Sequence, residues 1–247
     1  MNMSFYNAYT ALKAYQSNLN VISNNIANIN TVGFKTDTTS FDDLIYSEMN
    51  VHLNADELLH GHGVKLGTIG KTFNQSSFTM TNQALDFAIA DEDYFFGLEK
   101  ADGSLAYSKA GNFALSVEDE GVFLVSSNGN YVLNNEGERI LLEEKEDGSL
   151  DTSALNSAIG LFRFDNKYEL NKDGSTTYLE TEKSGVATAM GEDGNRNVLV
   201  QGSIEDSSVD LSEEMVNMIT AQRAFQVNSK ILQASNEIED IVNHLRG

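Results

Sequence analysis

Three histidines stand close together in the chain, at His52, His60 and His62, and imidazole is a common metal ligand. Zinc sites usually combine cysteine pairs or two histidines four residues apart on a helix, and the spacing here matches neither pattern. The chain has no cysteine, which removes disulfides, thiolate ligands and thiol nucleophiles. We therefore expect no metal site and interpret the segment as a solvated loop.

An acidic triplet and a glycine-rich stretch offer two further kinds of chemistry. Asp91-Glu92-Asp93 has the spacing that begins a calcium loop, but Phe95 and Phe96 stand where an EF-hand needs an oxygen ligand and a glycine. The stretch Gly61 to Gly67 lacks the Gly-x-Gly-x-x-Gly spacing of dinucleotide-binding loops, and no Gly-x-Ser-x-Gly elbow occurs. We expect no catalytic residue, no cofactor and no enzyme activity. A hydrolase that uses Asp91 and Asp93 is left as an alternative.

The composition limits the classes of partner. A net charge of -21 and a pI near 4.3 argue against nucleic acid and anionic membrane surfaces, because both would repel the chain. No run of 18 apolar residues is present, so we expect no transmembrane helix, no membrane insertion and no ordinary secretory signal. The 247 residues with 40% hydrophobic content are enough for a sizeable core. We expect protein partners.

The charge is unevenly distributed along the chain. Residues 1–35 carry a net charge of +2, residues 209–247 carry -3, and the segment between them carries -20. This asymmetry indicates a solvated, self-repelling middle between two nearly neutral ends that could associate.

The N-terminal segment has the apolar spacing of a packed helix. Apolar or small residues recur in alternating steps of three and four at Phe5, Ala8, Leu12, Tyr15, Leu19, Ile22, Ile26 and Ile29. Such a heptad seam predicts a helix packed against another helix. A lone amphipathic helix lying on its own domain remains the alternative.

The C-terminal segment offers the partner helix. Asp210 and Glu213 have the spacing of a capping box, with aspartate in place of Ser or Thr. The apolar positions that follow are Leu211, Met215, Met218, Phe225, Leu232, Ile238, Val242 and Leu245. Gln222 and Ser229 interrupt this seam, so we expect the helix to meet several neighbours or to pair with an offset.

Between the two helices the pattern changes to short β-rich runs separated by Asp-Gly and Asn-Gly turns, which predicts antiparallel strands. The predicted strands are Phe87 to Ala90, Tyr94 to Glu99, Val122 to Ser126, Tyr131 to Leu133, Ala158 to Phe164, Thr176 to Glu182 and Val198 to Ile204. We predict an α+β protein in which the N- and C-terminal helices pair as a coiled-coil-like domain around a central antiparallel β domain. The predicted divisions are an N-terminal helix in 1–35, an extended connector in 36–75, the β domain in 76–205 and a C-terminal helix in 206–247.

Two long stretches at opposite ends of the chain resemble one known family. Asn18 to Lys35, "NLNVISNNIANINTVGFK", is similar to the N-terminal signature of bacterial flagellar rod and hook proteins, and Ser207 to Gln233, "SSVDLSEEMVNMITAQRAFQVNSKILQ", is similar to their closing signature. Shorter similarities occur at Phe41 to Tyr46 and Tyr107 to Leu115. The family often has Gly-x-Gly-Phe-Phe where this chain has Asp91 to Phe95.

The resemblance implies an axial structural protein of the flagellar basal body in the cell envelope. Such a subunit is exported by the flagellar type III system without a cleaved signal and self-assembles helically around a central channel as part of the drive shaft for motility. The implied partners are copies of itself, neighbouring rod or hook subunits and the export apparatus. A middle segment too short for an additional outer domain favours rod over hook, and Ala221 to Lys230 looks most like the distal rod group. The alternatives are a hook or proximal rod subunit, or a stalked surface adhesin or binding domain.

The polar string before the β domain is interpreted as a helix end at a subunit contact. The asparagines at 24, 25, 28 and 30 can bond to backbone groups, and Gly33 permits the positive φ of a sharp turn. An ordinary polar helix end is the alternative. The predicted assembly interface comprises Phe5, Leu12, Tyr15, Leu19, Ile22, Ile26, Ile29, Gly33, Phe34, Leu211, Met215, Met218, Phe225, Leu232, Ile238, Val242 and Leu245.

Overall fold

The computed structural model describes residues 3–48, 59–118, 121–142, 155–191 and 198–246. It is an α+β structure with an N-terminal helix, a C-terminal helix and a central antiparallel sheet, which confirms the coarse prediction. Its contacts divide the chain into two compact units. The helical unit comprises Met1–Ala27, Asp37–Gly70 and Asp210–Gly247, and the sheet unit comprises Asn28–Thr36 and Lys71–Val209.

Two long helices and two single turns of helix are described. They are α1 (Met3–Ala27), α2 (Leu155–Ala158), α3 (Leu211–Arg246) and a 3-10 turn at Lys167–Glu169. Asp210 caps α3, because its Oδ1 accepts hydrogen bonds from Ser212 N at 2.8 Å and Glu213 N at 3.2 Å, as the capping motif predicts. In the described ranges, no helix is both long enough and apolar enough to cross a membrane.

The first helix ends earlier than its apolar spacing predicts. α1 stops at Ala27, and Asn28 then accepts a hydrogen bond from Thr31 N at its carbonyl, at 3.1 Å, and another from Thr31 Oγ1 at its side chain, also at 3.1 Å. This turn competes with the helical hydrogen bonds. Ile29 therefore lies beyond the helix, and its placement on the helical seam was wrong.

The helical unit also contains strands where we predicted an extended connector. The strands are β1 (Asp37–Asp43), β2 (Tyr46–Glu48), β3 (Leu59–Gly61) and β4 (Val64–Lys71). β1 pairs with β4, and β2 pairs antiparallel with β3. β1 lies along α1: Tyr15 stacks on Phe41 with ring centroids 5.4 Å apart, and Thr39 Oγ1 donates to Asn18 Oδ1 at 2.8 Å. The segment is thus part of the support of α1.

The remaining strands belong to the sheet unit. They are β5 (Phe78–Met80), β6 (Phe87–Ile89), β7 (Tyr94–Glu99), β8 (Leu105–Ser108), β9 (Phe113–Glu118), β10 (Gly121–Ser126), β11 (Tyr131–Val132), β12 (Leu141–Leu142), β13 (Leu161–Arg163), β14 (Asn171–Lys172), β15 (Thr177–Leu179), β16 (Thr188–Ala189), β17 (Leu199–Gln201) and β18 (Ser203–Glu205). β7 to β16 form one antiparallel sheet, while β6 pairs with β17 and β5 pairs with β18. β7 bonds to β8 along one edge and to β11 and β13 along the other.

Two predicted strands are divided in the structure, and a third, predicted at 176–182, is observed only at Thr177–Leu179. Residues 158–164 were predicted as one strand, but α2 ends at Ala158 and β13 begins only at Leu161. Residues 198–204 divide into β17 and β18 because Gly202, with φ of 77°, turns the chain between them. β7 has the predicted bounds.

The core lies on both faces of β7. Phe96 and Leu98 pack into one cluster with Phe87 and Leu124, while Phe95 packs into a second cluster with Tyr178 and other aromatic side chains. Successive side chains of a strand point to opposite faces, so one apolar strand supplies both clusters. In the second cluster Phe95 and Tyr178 meet edge to face with centroids 6.0 Å apart. The sheet is therefore covered on both faces.

Candidate functional site

The terminal helices pack against each other through small side chains. The buried residues of α1 are Ala8, Ala11, Ala14, Ile22 and Asn25, and those of α3 are Glu214, Ala221 and Ser235. Asn25, near the end of α1, bonds to Glu214, near the start of α3, so the two helices run antiparallel. Small residues allow two helix backbones to approach closely.

The contact face of α1 lies beside the predicted seam. Ala8 and Ile22 of the predicted seam are buried, whereas Phe5, Leu12, Tyr15, Leu19 and Ile26 are half-buried. The buried positions Ala11 and Asn25 precede the predicted positions Leu12 and Ile26 by one residue. At these two positions hydrophobicity alone selected the larger neighbour of the small or polar contact residue.

The contact face of α3 is also offset from the predicted seam. Buried or half-buried positions recur in steps of four and three at Glu214, Met218, Ala221, Phe225, Asn228, Leu232 and Ser235, and Ala224 and Ser229 beside them are also half-buried. Met218, Phe225 and Leu232 were predicted members of the seam. The other five predicted positions, Leu211, Met215, Ile238, Val242 and Leu245, are exposed. The predicted seam was interrupted at Gln222 and Ser229. These interruptions are filled by the preceding residues, Ala221 and Asn228.

The far part of α3 extends past α1 and presents apolar side chains. α3 has 36 residues and α1 has 25. Because Asn25 lies opposite Glu214, the residues of α3 after about position 236 have no part of α1 beside them. Ile238, Ile241, Val242 and Leu245 are all exposed there, Leu245 by 82%. This stretch is an uncovered apolar surface within the helical unit.

The turn at Gly33 lies inside the sheet unit. Gly33 has φ of 67°, which confirms the predicted positive value, and its N–H donates to Glu205 O at 2.8 Å. A Cβ at this position would lie 2.6 Å from Ala110 N and 2.6 Å from Lys109 C. Only glycine fits such a close approach of two backbones.

A buried ion pair follows this turn. Lys35 Nζ lies 2.7 Å from Glu205 Oε1, and their side chains are 1% and 2% exposed. Lys35 Nζ also donates to Asn74 O at 2.8 Å, and Glu205 Oε1 accepts from Ser76 N at 2.9 Å. Ser208 N donates to Phe34 O at 3.0 Å. The segment that follows α1 is thereby tied to the segment that precedes α3.

Gly33 and Phe34 were predicted for the assembly interface. Phe34 is 0% exposed, and Lys172 Nζ lies 4.3 Å from the centroid of its ring. The structure therefore places both residues in the interior of the sheet unit. Any contribution of theirs to assembly is limited to shaping this segment, and that contribution stays a prediction.

A second lysine is buried near this ion pair. Lys109 Nζ donates to Asp91 O at 2.8 Å and lies 4.9 Å from the centroid of the Phe95 ring. Burial lowers the pKa of Lys109 to about 7. The attraction of Glu205 opposes this shift, and the repulsion of Lys35 adds to it. The lysine therefore approaches neutrality at pH values where exposed lysines are charged.

Replacing Lys109 with methionine is expected to remove a pH dependence of stability. Between pH 7 and 10.5 the unfolded chain binds a proton at this position that the folded chain does not hold, so the free energy of unfolding rises with pH there, by at most about 1.4 kcal/mol per unit. The stabilising effect of Lys109→Met should be largest at pH 7 and shrink towards pH 10.5. Denaturant titrations at several pH values measure it. Lys183→Met, at an exposed position, is the control. The prediction is contradicted if the free energy of unfolding changes equally with pH in the unsubstituted chain, in Lys109→Met and in Lys183→Met.

The ion pair also bears on where the sheet unit begins and ends. A fragment of residues 28–209 is expected to unfold cooperatively with β-type circular dichroism. The predicted domain 76–205 lacks Phe34, Lys35 and Phe73, all of them buried, and leaves Glu205 without its cation. It should therefore unfold at lower denaturant concentration. Equal midpoints for the two fragments would show that residues 28–75 do not support the sheet.

The motifs considered for metal binding show no such arrangement in the described residues. No group of three or more His, Asp or Glu side chains stands at metal-binding distance within those ranges. His52 lies outside the described residues, while His60 lies on β3. In the acidic turn, Asp91 Oδ1 accepts from Asp93 N at 2.8 Å, and the carboxylate of Asp93 pairs with Lys167 Nζ at 2.6 Å. The turn is thus held by its own hydrogen bonds and a lysine.

Comparison with known proteins gives matches at both ends and along the whole chain. Residues 5–35 match the family model "Flagella basal body rod protein", and residues 200–245 match "Flagellar basal body rod FlgEFG protein C-terminal". Flagellar basal-body rod protein FlgG of Bacillus subtilis is 36% identical over 98% of this chain and 99% of that protein. The FlgG proteins of Borreliella burgdorferi and Caulobacter vibrioides are 34% and 33% identical, covering 100% and 97% of this chain and 99% and 97% of their own lengths.

Proposed function

Because this chain belongs to the family of FlgG-type flagellar basal-body rod proteins, we propose that it assembles with further copies of itself through its terminal helices. The family is structural, so the chain is a structural subunit of the flagellar rod in the basal body and is not an enzyme. The three relatives compared above are FlgG proteins, which supports the distal rod over the hook, the proximal rod and a stalked adhesin.

The observation that carries the assembly proposal is the exposed apolar surface of α3. Its exposed large apolar side chains are Leu211, Met215, Val216, Ile219, Val227, Ile231, Ile238, Ile241, Val242 and Leu245. Exposed apolar surface on this scale marks an interaction site in soluble proteins. The predicted interface residues Leu211, Met215, Ile238, Val242 and Leu245 belong to it.

Charge favours a second copy at this surface. The segment between residues 36 and 208 carries a net charge of -20, most of it in the sheet unit, so the sheet units of two copies repel each other. The terminal segments carry only +2 and -3 and can approach without that penalty. Self-assembly therefore places helices against helices and leaves the acidic sheet units apart.

We further propose that α1 and α3 pair as a coiled-coil-like domain. The alternating steps of four and three from Glu214 to Ser235 support this pairing. The remaining proposed partners are neighbouring rod or hook subunits and the flagellar type III export apparatus. Export as an extended chain suits a sequence without cysteine, because no disulfide has to be broken.

Replacing Ile238 with aspartate is expected to abolish rod assembly while leaving the folded monomer intact. The side chain is 54% exposed, so a charge there costs the monomer little, but the same charge buried between two copies would lack a partner. Electron microscopy of basal bodies measures assembly, and circular dichroism checks the fold. Asn236→Asp adds the same charge at an exposed position on another face of α3 and should assemble normally. Normal rods from Ile238→Asp would contradict the assembly proposal.

A further inference from the structure

We infer that Asn25 and Glu214 fix the register in which α1 pairs with α3. These two polar residues occupy buried positions of the helix contact, with exposures of 1% and 7%. Asn25 Nδ2 donates to Glu214 Oε1 at 3.0 Å. A polar residue at a buried seam position specifies which residues of two helices lie opposite each other, because any other alignment leaves it unpaired.

The side chain of Asn25 is oriented by the first residue of β1. Asp37 N donates to Asn25 Oδ1 at 3.1 Å, and Asn25 Nδ2 also donates to Asp37 O at 2.8 Å. Two hydrogen bonds to one peptide backbone hold the amide plane in place. The remaining N–H of the amide is then directed at α3, where Glu214 accepts it. The amide of Asn25 therefore has one fixed orientation at this position of α1.

The rest of the contact specifies the register only weakly. Apart from Ile22, its other buried members are all small: Ala8, Ala11 and Ala14 on α1 and Ala221 and Ser235 on α3. Small side chains form shallow ridges that interlock little, so neighbouring alignments differ little in packing. A shift by one heptad would bring Ala221 to the place of Glu214 and leave Asn25 facing a methyl group. Within the helix contact itself, the polar pair is the feature that distinguishes the two alignments.

The second carboxylate oxygen of Glu214 supports a role in specificity. Glu214 Oε2 is buried and finds no hydrogen-bond partner in the described part of the chain, and burial raises the pKa of this carboxyl group. A buried acid with one unsatisfied oxygen weakens the helix contact relative to an apolar residue. Stability therefore does not account for Glu214 at this position, whereas the choice of register does.

The register determines how much of α3 extends past α1. In the observed alignment the exposed apolar residues from Ile238 to Leu245 lie beyond the covered part of α3. A one-heptad shift would move this surface by about 10 Å along the helix axis. The effect of that displacement on rod assembly rests on the proposed function, whereas the inference about the register does not.

Pulsed EPR on the full chain tests the inference, and the absence of native cysteine allows two labels to be placed freely. Labels at Ser23→Cys and Gln233→Cys, both exposed, report the axial offset of the helices. We expect one narrow distance in the otherwise unsubstituted chain. In Asn25→Leu/Glu214→Leu the distribution should broaden or gain a second maximum displaced by about 10 Å, with unchanged helix content.

Matched variants separate register from general damage. Asn24→Leu/Glu213→Leu places the same changes one residue away at exposed positions and should keep the single distance. Glu214→Gln keeps an acceptor for Asn25 and should also show the single distance. Asn25→Ala, which adds no bulk, should broaden the distance distribution. One narrow distance in both the leucine pair and Asn25→Ala would overturn the inference, as would a broad distribution in the unsubstituted chain.

Discussion

Replacing Lys35 with methionine should lower the free energy of unfolding of the sheet unit by about 3 to 5 kcal/mol. The substitution leaves the carboxylate of Glu205, 2% exposed, with Ser76 N as its described donor and without its ion-pair partner. A buried charge that loses its partner retains its desolvation penalty, which exceeds the contribution of most single contacts. Denaturant titration followed by near-UV circular dichroism measures the loss. The chain has no tryptophan, so the buried Tyr107 and Tyr178 of the sheet unit dominate that signal.

The double variant Lys35→Met/Glu205→Leu is the control for that prediction. Apolar side chains of similar volume remove both charges together, so much of the lost stability should return. A double-mutant cycle with Glu205→Leu gives the coupling energy between the two side chains. If Lys35→Met alone costs less than about 1 kcal/mol, the pair is accessible to water and is not the tie between the two chain segments.

Replacing Gly33 with alanine is expected to destabilise the sheet unit by about 2 to 5 kcal/mol. Alanine rarely adopts a φ of 67°, and its Cβ would lie 2.6 Å from Ala110 N, where only a backbone shift can relieve the overlap. That shift would disturb the hydrogen bond from Gly33 N to Glu205 O. The midpoint of urea unfolding reports the change.

Gly103 offers a matched control for the Gly33 substitution. It also has a positive φ, 80°, but a Cβ there would meet nothing within 4 Å. Gly103→Ala should cost only the backbone strain, about 1 kcal/mol. The difference between the two variants isolates the close approach of residues 33 and 110. Equal costs would mean that conformation alone, and not contact, requires glycine at position 33.

Sequence patterns identified the elements whose causes are local. The strand Tyr94–Glu99, the cap at Asp210 and the positive φ of Gly33 each depend on residues close together in the chain, and each has its predicted place. The long helices were equally visible from their apolar spacing. Such features need no knowledge of distant neighbours.

The features that sequence patterns missed depend on distant residues. Lys35 and Glu205 are 170 positions apart, and nothing in either local sequence indicates that they form one buried pair. The helix contact was misplaced by one residue because alanine and asparagine, not the larger apolar neighbours, fill the narrow space. A search for small residues at heptad spacing would have added Ala11 and Ala221 to Ala8, which the predicted seam already contained.

The pairing of β5 with β18 makes the part of the sheet unit between these two strands an insertable module. The chain returns to the sheet unit at Lys71, after the strands of the helical unit, and leaves it at Val209, and Asp206 N lies only 2.9 Å from Ser77 O. An inserted domain is tolerated when its two ends lie close together, because the host then keeps its own geometry. Evolution or design could thus enlarge, shrink or exchange much of the polypeptide between these two points without redesigning the helices that flank it.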